Sequence, residues 1–486
     1  MTTDTAAAVR GHAPGAVPTP EEVWAPEVIE RWDTDLHSLD PLDFEGYAVP
    51  DAADESVTTA RIRLGDTEAV WIDCDFRRQG GTMGSVAGER IVRALDSATA
   101  LGLPVVETVS SGGARLQEGM VSLLQMARTS SAVARHAAAG LQSAAYLRSP
   151  CTGGVFASWA SLADLRAAEP GATIGFGGPR VVAQVTGEFP PATSHTAESA
   201  FAAGLVDAIV PPEQQWAWLA AAIGALPAPA LALGPGRASA PDTTPVPADP
   251  YEVLLRCRAA GRASGMEWAT WLSDSWVEIK GSDPAVRAGL ADFDGRRVVV
   301  VAMDRHAGSR PKHLPSPAAF RLAQRAIRLA GRLGLPLLTI IDTLGADPSP
   351  ASETDAIAGD IARTLLAMAQ CPSPSVALTV GEGGSGGAVA LAHADRHLVL
   401  EGGVFSVIGP EAGAVILHRD AARAPELAAR FRMTADELRS LGAVDAVLPE
   451  EVGAVRRAVL AALDEAVPGD RDRRIDELTA RSVSAD

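Results

Sequence analysis

What this 486-residue chain lacks narrows its function before any motif is read. It has four cysteines, Cys74, Cys151, Cys257 and Cys371, widely scattered, with no CxxC pair and no histidine ladder beside them. That spacing supports neither a zinc site nor a disulfide framework, and it reads as a chain kept in a reducing cytoplasm. Basic charge is scarce: 42 Lys and Arg against 60 Asp and Glu give a net charge of −18. A nucleic acid or an anionic membrane is thereby excluded as the main partner, because both are bound through basic surface that neutralises phosphate. The opening MTTDTAAAVRGHAPGAVPTP carries no apolar signal core. The longest apolar stretch, WAWLAAAIGALPAPALALG from Trp216, is interrupted by Pro227 and Pro229. It reads as a helix running into a linker, not a membrane span. Nucleotide signatures are thin too: there is no GxxxxGK[ST] loop, and GEGGSGG (381–387) alone is a weak nucleotide-loop signal.

What is present is an ordinary soluble composition, 47% apolar and 21% charged, at a length that allows two to four domains. Residues 1–25, rich in Ala, Pro, Thr and Gly, are expected to be disordered. Residues 227–250, PAPALALGPGRASAPDTTPVPADP, carry seven prolines and read as a flexible linker. The chain thus divides into units at 26–226 and 251–470, with a tail at 471–486.

The two units resemble each other. LGLPVVETVSSGGA (101–114) parallels LGLPLLTIIDTLGA (333–346), and TGGVFASWASLADLRAAEPGATIGFGGP (152–179) parallels SGGAVALAHADRHLVLEGGVFSVIGP (385–410). AAGLVDAIVPPE (202–213) parallels RSLGAVDAVLPEE (439–451). Matched in this way, the landmarks are offset by about 232, 233 and 238 residues, the small drift of one domain type used twice. Within each unit β-branched runs such as VVETV and LLTII meet glycine turns followed by helical patterns. The expectation is an α/β architecture with crossover units. In QEGMVSLLQMARTSSAVARHA the apolar Met120, Leu123, Leu124, Ala127 and Val133 fall mostly on one face at helical spacing.

Each unit offers two glycine-rich strand-to-helix turns: SSGGA with CTGGV, and DTLGA with GEGGSGGA. Glycine there lets backbone approach a ligand, so two converging turns would supply N–H donors to one oxygen, an oxyanion hole. The plain alternative is that the glycines only make tight turns. Four such turns at matched places favour the first reading. Arg115 and Glu118, just behind the first glycine pair, read either as ligand-orienting groups or as an ordinary helix-start pair. Glu353 is equally ambiguous. His393 and His397 have ligand-like spacing but no third ligand, and Ser385, set between glycines, has no identifiable base. Backbone donors with few acid/base side chains favour chemistry in which a developing oxyanion is held while substrate or cofactor handles the proton.

Those same stretches carry a family resemblance. SSGGARLQEGMVSLLQMARTSSAVARHAAAGL and CTGGVFASWASLADLRAAEPGATIGFGGPRVV resemble the β subunit of bacterial acetyl-CoA carboxylase carboxyltransferase, as does the lead-in DPLDFEGY (40–47). GLADFDGRRVVVVAMDR, LGLPLLTIIDTLGADP and GEGGSGGAVALAHADRHLVLEGGVFSVIGPEAGAVILHR resemble its α subunit, so the similarity spans about residues 40–460. The resemblance implies two tandem crotonase-like domains of repeated ββα units, with a site where the halves meet, commonly across a dimer. It implies carboxybiotin on a separate carrier and acyl-CoA as acceptor, while the cysteine pattern leaves no metal expected. The holes would be Gly112, Gly113, Gly153 and Gly154 for the acyl thioester, and Gly345, Gly386 and Gly387 for biotin. Arg115, Arg305, Arg310 and Lys312 are the candidate contacts to CoA.

Departures accompany it. The β-subunit zinc ribbon is missing, IDTPGAYPG appears as IDTLGADPS, KGRDTKEN is reduced to DRHAGSRPKH (304–313), and GQSEAIA reads AIAGDIA (356–362). The resemblance further implies a biotin carboxyl carrier protein and a biotin carboxylase as separate chains, since the sequence shows no MKM-like attachment site or ATP-grasp unit, and a homodimer or larger homo-oligomer. A biotin-independent malonyl-thioester decarboxylase and a non-catalytic acyl-CoA-binding paralogue are the competing readings.

Overall fold

The structure, a computed structural model, describes residues 25–40, 42–307 and 313–484. The first half runs β1 (Glu27–Trp32), β2 (Val57–Leu64), β3 (Thr67–Cys74), α1 (Ser85–Leu101), β4 (Val105–Ser111), α2 (Gly119–Ala138) and β5 (Ser143–Thr152). It continues through α3 (Gly153–Phe156), α4 (Trp159–Leu162), β6 (Leu165–Ala168), β7 (Ile174–Gly175), α5 (Pro179–Thr186), α6 (Ala197–Ala202), β8 (Ala208–Ile209) and α7 (Gln215–Ala222). The second half opens with α8 (Pro250–Cys257), α9 (Gly265–Leu272), β9 (Ser275–Ile279), β10 (Val286–Phe293), β11 (Arg296–Met303), α10 (Pro317–Leu333) and β12 (Leu337–Thr343). Then come α11 (Pro350–Thr354), α12 (Ile357–Gln370), β13 (Ser375–Gly384), α13 (Ser385–Ala392), β14 (Arg396–Leu400), β15 (Val404–Ser406) and α14 (Pro410–His418). The chain closes with α15 (Ala424–Phe431), α16 (Ala435–Leu441), β16 (Ala446–Leu448), α17 (Val452–Glu465) and α18 (Arg473–Ala480).

Each half builds one sheet, and the two sheets have the same order: β1-β2-β3-β4-β5-β6-β8 with β7 on β5, and β9-β10-β11-β12-β13-β14-β16 with β15 on β13. The leading hairpins are antiparallel and the remaining pairs parallel. VVETVSS and LLTIIDT are buried along their whole length, as central parallel strands covered on both faces must be. The helices that cross over to β4 and β12 end alike, at Gly102 (φ 68°) and Gly334 (φ 65°), left-handed caps that need glycine. Strand pairing fixes the internal repeat: Val105 pairs with Ser143 and Ser111 with Cys151, while Leu337 pairs with Ser375 and Thr343 with Gly383. The β4–β5 and β12–β13 ladders are therefore related by one constant shift. In that register Ser385 matches Gly153, Gly386 matches Gly154, and Gly387 matches Val155. The glycine-to-glycine match drawn from sequence alone is off by one.

Three segments differ from their sequence reading. In α2 the buried positions are Ser122, Gln125, Thr129, Ala132, Val133 and His136, whereas Met120, Leu123 and Leu124 are exposed. The cause is close packing on α1: Gln125 lies against Gly88, and the buried hydroxyls of Ser122 and Thr129 donate to carbonyls of their own helix, Gly119 O and Gln125 O. Residues 227–250 have no helix or strand before Pro250, yet they dock on the second half. Trp276 N–H donates to Pro229 O (3.0 Å), Leu231 and Leu233 join an apolar cluster, and Arg237 pairs with Glu267 and Asp304 (2.7 and 2.8 Å). The tail forms α18, anchored by buried Arg471 on Asp395 (3.2 Å).

The halves are clamped together. Arg325 of α10 reaches Asp207 with both guanidinium nitrogens (2.7 and 3.0 Å) and Asp164 O (2.7 Å), and Arg332 pairs with Asp164. Ile62, Leu64 and Tyr146 share one buried cluster with Ile279, Leu290 and Leu322. No helix among the described residues is long and apolar enough to cross a membrane, and the four cysteines are free and buried.

Candidate functional site

At the end of β4 the chain turns through Gly112 and Gly113 toward α2, and at the end of β5 it turns through Gly153 into α3. Gly113 (φ +113°) and Gly153 (φ +64°) take conformations that side chains resist. They also let the turns touch: a Cβ on Gly113 would stand 3.1 Å from Gly153 Cα and 3.2 Å from the Gly154 nitrogen. Three of the four glycines singled out from sequence spend their N–H groups internally. Gly112 donates to Gly80 O (2.9 Å), Gly153 to Phe176 O (2.8 Å) and Gly113 to Ser111 Oγ (3.0 Å). The amides of Ala114 and Gly154, by contrast, make no hydrogen bond to the described residues.

The second half repeats this with different residue types. Gly345 (φ +145°) donates to Thr343 Oγ1 (3.2 Å), and the left-handed position opening α13 is held by Ser385 (φ +58°). Ala346 and Gly386 carry the matching unused amides among the described residues. Gly387 contributes differently, by leaving space: a Cβ there would stand 2.7 Å from the Ala346 nitrogen and cover it. The first turn of α13 adds unsatisfied N–H groups and the positive end of its dipole.

Buried ion networks stand behind both turns. Arg115, 1% exposed, is held by Glu55 through both guanidinium ends, by Glu118, and by Tyr47 Oη (3.3 Å) and Thr82 O (3.0 Å). Glu118 in turn accepts Ser85 N–H (2.6 Å). Burial works to raise the Glu55 carboxyl, but the hydrogen bonds and charge of Arg115 outweigh it and hold it below its usual range. Arg115 is thus the pin of the first turn, as the helix-start reading had it, with Glu55 as the partner the sequence did not show. In the second half Asp342 accepts Glu382 N–H (3.2 Å) and faces Arg305 (3.3 Å). Burial pushes Asp342 up to about 6 against the charge of Arg305. Glu382 is gripped by Arg258 (2.7 and 2.6 Å), which also holds Glu411 at the start of α14 (2.7 Å).

Other candidates do not gather at the turns. Arg305 is 8% exposed and donates to Cys257 O and to Arg262 O (3.2 Å), a buried strut, not a surface phosphate contact. Arg310 and Lys312 lie outside the described residues. Glu353 is exposed on α11. His397 is buried on β14, bonded to Thr379 Oγ1 (2.9 Å) and pushed down to about 3 by burial, while His393 faces Asp472 (3.5 Å). No cluster of three or more metal-ligating side chains occurs among the described residues.

The arrangement is two pairs of unused backbone donors on adjoining turns, the kind of group that holds an oxygen as negative charge develops on it. The neighbouring carboxylates Glu55, Asp342 and Glu382 are tied to arginines. Sequence reasoning did not single out Ala114 and Ala346, whose amides are unused; the signal was the alanine closing both SSGGA and DTLGA.

Comparison with known proteins gives a consistent picture. Residues 248–481 match the family model described as acetyl co-enzyme A carboxylase carboxyltransferase-like. The chain is 40% identical over 437 residues to the acetyl-coenzyme A carboxylase carboxyl transferase subunits beta/alpha of Salinispora tropica, covering 85% of this chain and 77% of that one. It is 37% identical over 404 residues, 82% of this chain and 80% of the other, to a probable biotin-dependent acyl-coenzyme A carboxylase beta3 subunit of Mycobacterium bovis. Its fold matches the transcarboxylase 12S hexamer structure with methylmalonyl-coenzyme A and methylmalonic acid bound, at a TM-score of 0.73 and 22% identity over 87% of this chain and 83% of that one.

Proposed function

Because the chain belongs to the acetyl-coenzyme A carboxylase carboxyltransferase family, we propose that it moves a carboxyl group from carboxybiotin on a separate carrier protein to a short acyl-CoA, acetyl-CoA foremost. One observation carries this reading: both halves hold a pair of unused amides on two adjoining turns, Ala114 with Gly154 and Ala346 with Gly386. A thioester decarboxylase needs one such pair; transfer between two carriers of charge uses two. The altered IDTLGADPS leaves the second turn intact, which speaks against a half-competent site.

Carboxybiotin supplies the CO2 and the base for the acyl α-proton. The Ala114 and Gly154 amides bind the acyl thioester oxygen and stabilise it as the α-carbon loses its proton and becomes the nucleophile. The Ala346 and Gly386 amides bind the ureido oxygen, where charge collects once the carboxyl group leaves. Gly387 fits that role, since any side chain there would cover the Ala346 donor. Because the donors are fixed by strand ends and buried ion networks, little reorganisation accompanies the reaction. The carrier and the biotin carboxylase are separate partners, the protein acts in the cytoplasm, and it assembles at least as a homodimer.

The test is consumption of malonyl-CoA by the purified chain with and without biocytin. Biocytin-dependent loss with formation of carboxylated biocytin supports transfer run backwards. Loss of CO2 independent of biocytin overturns it in favour of a decarboxylase, and binding of CoA esters without turnover overturns it in favour of a binding protein.

A further inference from the structure

The two pairs of donors differ in what stands over them. At the first, the side chain of Met126 in α2 lies across Gly154. A Cβ at Gly154 would stand 2.9 Å from Met126 Sδ, 3.3 Å from its Cγ and 3.6 Å from the Ala114 Cβ. Phe76 closes the turn from another side, its Cε2 3.7 Å from where a Gly112 Cβ would lie. At the second pair nothing comparable intrudes. The nearest atom to a Gly386 Cβ would be Ile361 Cγ2 at 4.0 Å, and to a Gly345 Cβ the Gly384 carbonyl oxygen at 3.8 Å. One site is low-roofed and apolar, the other open.

This difference matters because of where an acyl group must sit. A thioester oxygen held by Ala114 and Gly154 has its α-carbon only two bonds away, under the Met126 thioether. The Met126 side chain, partly buried, packs on the first-half core. The open pair suits the broader ureido ring. We propose that Met126 is a specificity-determining residue, which limits the acceptor to an acyl group with an unsubstituted α-carbon, the acetyl thioester, and disfavours an α-alkyl branch. The proposal rests on the carboxyl-transfer reading and deepens it.

A thioether is deformable, so the exclusion is graded; one methylene in such a pocket is worth roughly 10- to 200-fold. The experiment offers the full chain malonyl-CoA and methylmalonyl-CoA in competition, with biocytin as acceptor, and reads the ratio of kcat/KM values. The wild type is expected to favour malonyl-CoA. Met126→Ala should shift the ratio toward methylmalonyl-CoA by at least about tenfold, whereas Met126→Leu, which conserves volume, should leave it. A structural defect would lower both rates together and leave the ratio unmoved. An unshifted ratio in a folded, active Met126→Ala, or a wild type that accepts both equally, overturns this inference alone. Absence of any biocytin-dependent turnover overturns the carboxyl-transfer reading beneath it.

Discussion

Gly386 and Gly387 are neighbours with different duties. Gly386 presents a donor and Gly387 stays out of the way of another, and the two can be separated by substitution. Neither Gly154 nor Gly386 has a positive φ. Gly154→Pro and Gly386→Pro therefore delete one N–H each in the first turn of a helix, where proline is tolerated. Each should lower kcat about 100- to 1000-fold, and the melting temperature should fall more in Gly154→Pro, whose Cβ meets Met126 Sδ at 2.9 Å, than in Gly386→Pro, whose Cβ meets nothing nearer than 4.0 Å, as steady-state assay beside calorimetry will show. Gly387→Ala retains every donor but covers Ala346; biocytin-dependent turnover should collapse while malonyl-CoA still binds, measured by titration calorimetry. Glycine pairs mark these turns in the sequence, but the sequence could not show which amides are already used, since Gly80 O and Phe176 O reach them from distant residues and Ser111 Oγ folds back onto Gly113. Glu107 was equally hidden. It sits in the middle of β4 at 1% exposure with Oε2 lacking any hydrogen-bond partner, and burial, reinforced by the charge of Asp164, raises its carboxyl well above the ordinary value. A carboxyl raised in the folded state favours folding most below the unfolded value of about 4.3 and loses that contribution as pH climbs toward the folded one. Glu107→Gln removes this dependence, so denaturation across pH 4 to 8 should show the variant gaining on the wild type as pH rises.

Among the elements, strands were the most legible and α2 the least. Buried runs such as VVETV and LLTII admit one reading, and the left-handed glycines after α1 and α10 mark their ends. The apolar stripe of α2 has helical period, but periodicity says only that a face is apolar, not what covers it. Here the core side is polar and small, closed by Gln125 against Gly88, and the apolar side points outward. Gly88→Ala would drive a methyl into Gln125 and pry α2 from α1. A loss of about 1–3 kcal/mol in urea unfolding is expected, with KM for the acyl-CoA raised because Met126 travels with the helix. The linker taught a similar lesson. Seven prolines forbid regular structure between residues 227 and 250 without forbidding contact, and Arg237 finds two carboxylates all the same.

At the scale of the molecule, duplication was readable from three landmarks, but the rigid joint between copies was not, since Arg325 and Asp207 are 118 residues apart. Each half leaves large apolar side chains exposed on two helices: Met120, Leu123 and Leu124 of α2 with Val181 and Val185 of α5 in the first, Leu366 of α12 with Val415, Ile416 and Leu417 of α14 in the second. Patches of this kind mark surfaces that other protein covers. The two faces lie on repeats of one design, so a second copy turned end for end would bring the first half of each chain to the second half of the other. Such an arrangement has a genetic signature. A chain crippled at Gly154 and a chain crippled at Gly386, each inactive alone, would form a mixed dimer with one site carrying both lesions and one carrying neither. Co-refolding the two dead variants should restore a fraction of the wild-type rate; if each chain instead completes its own site, the mixture stays silent at every ratio.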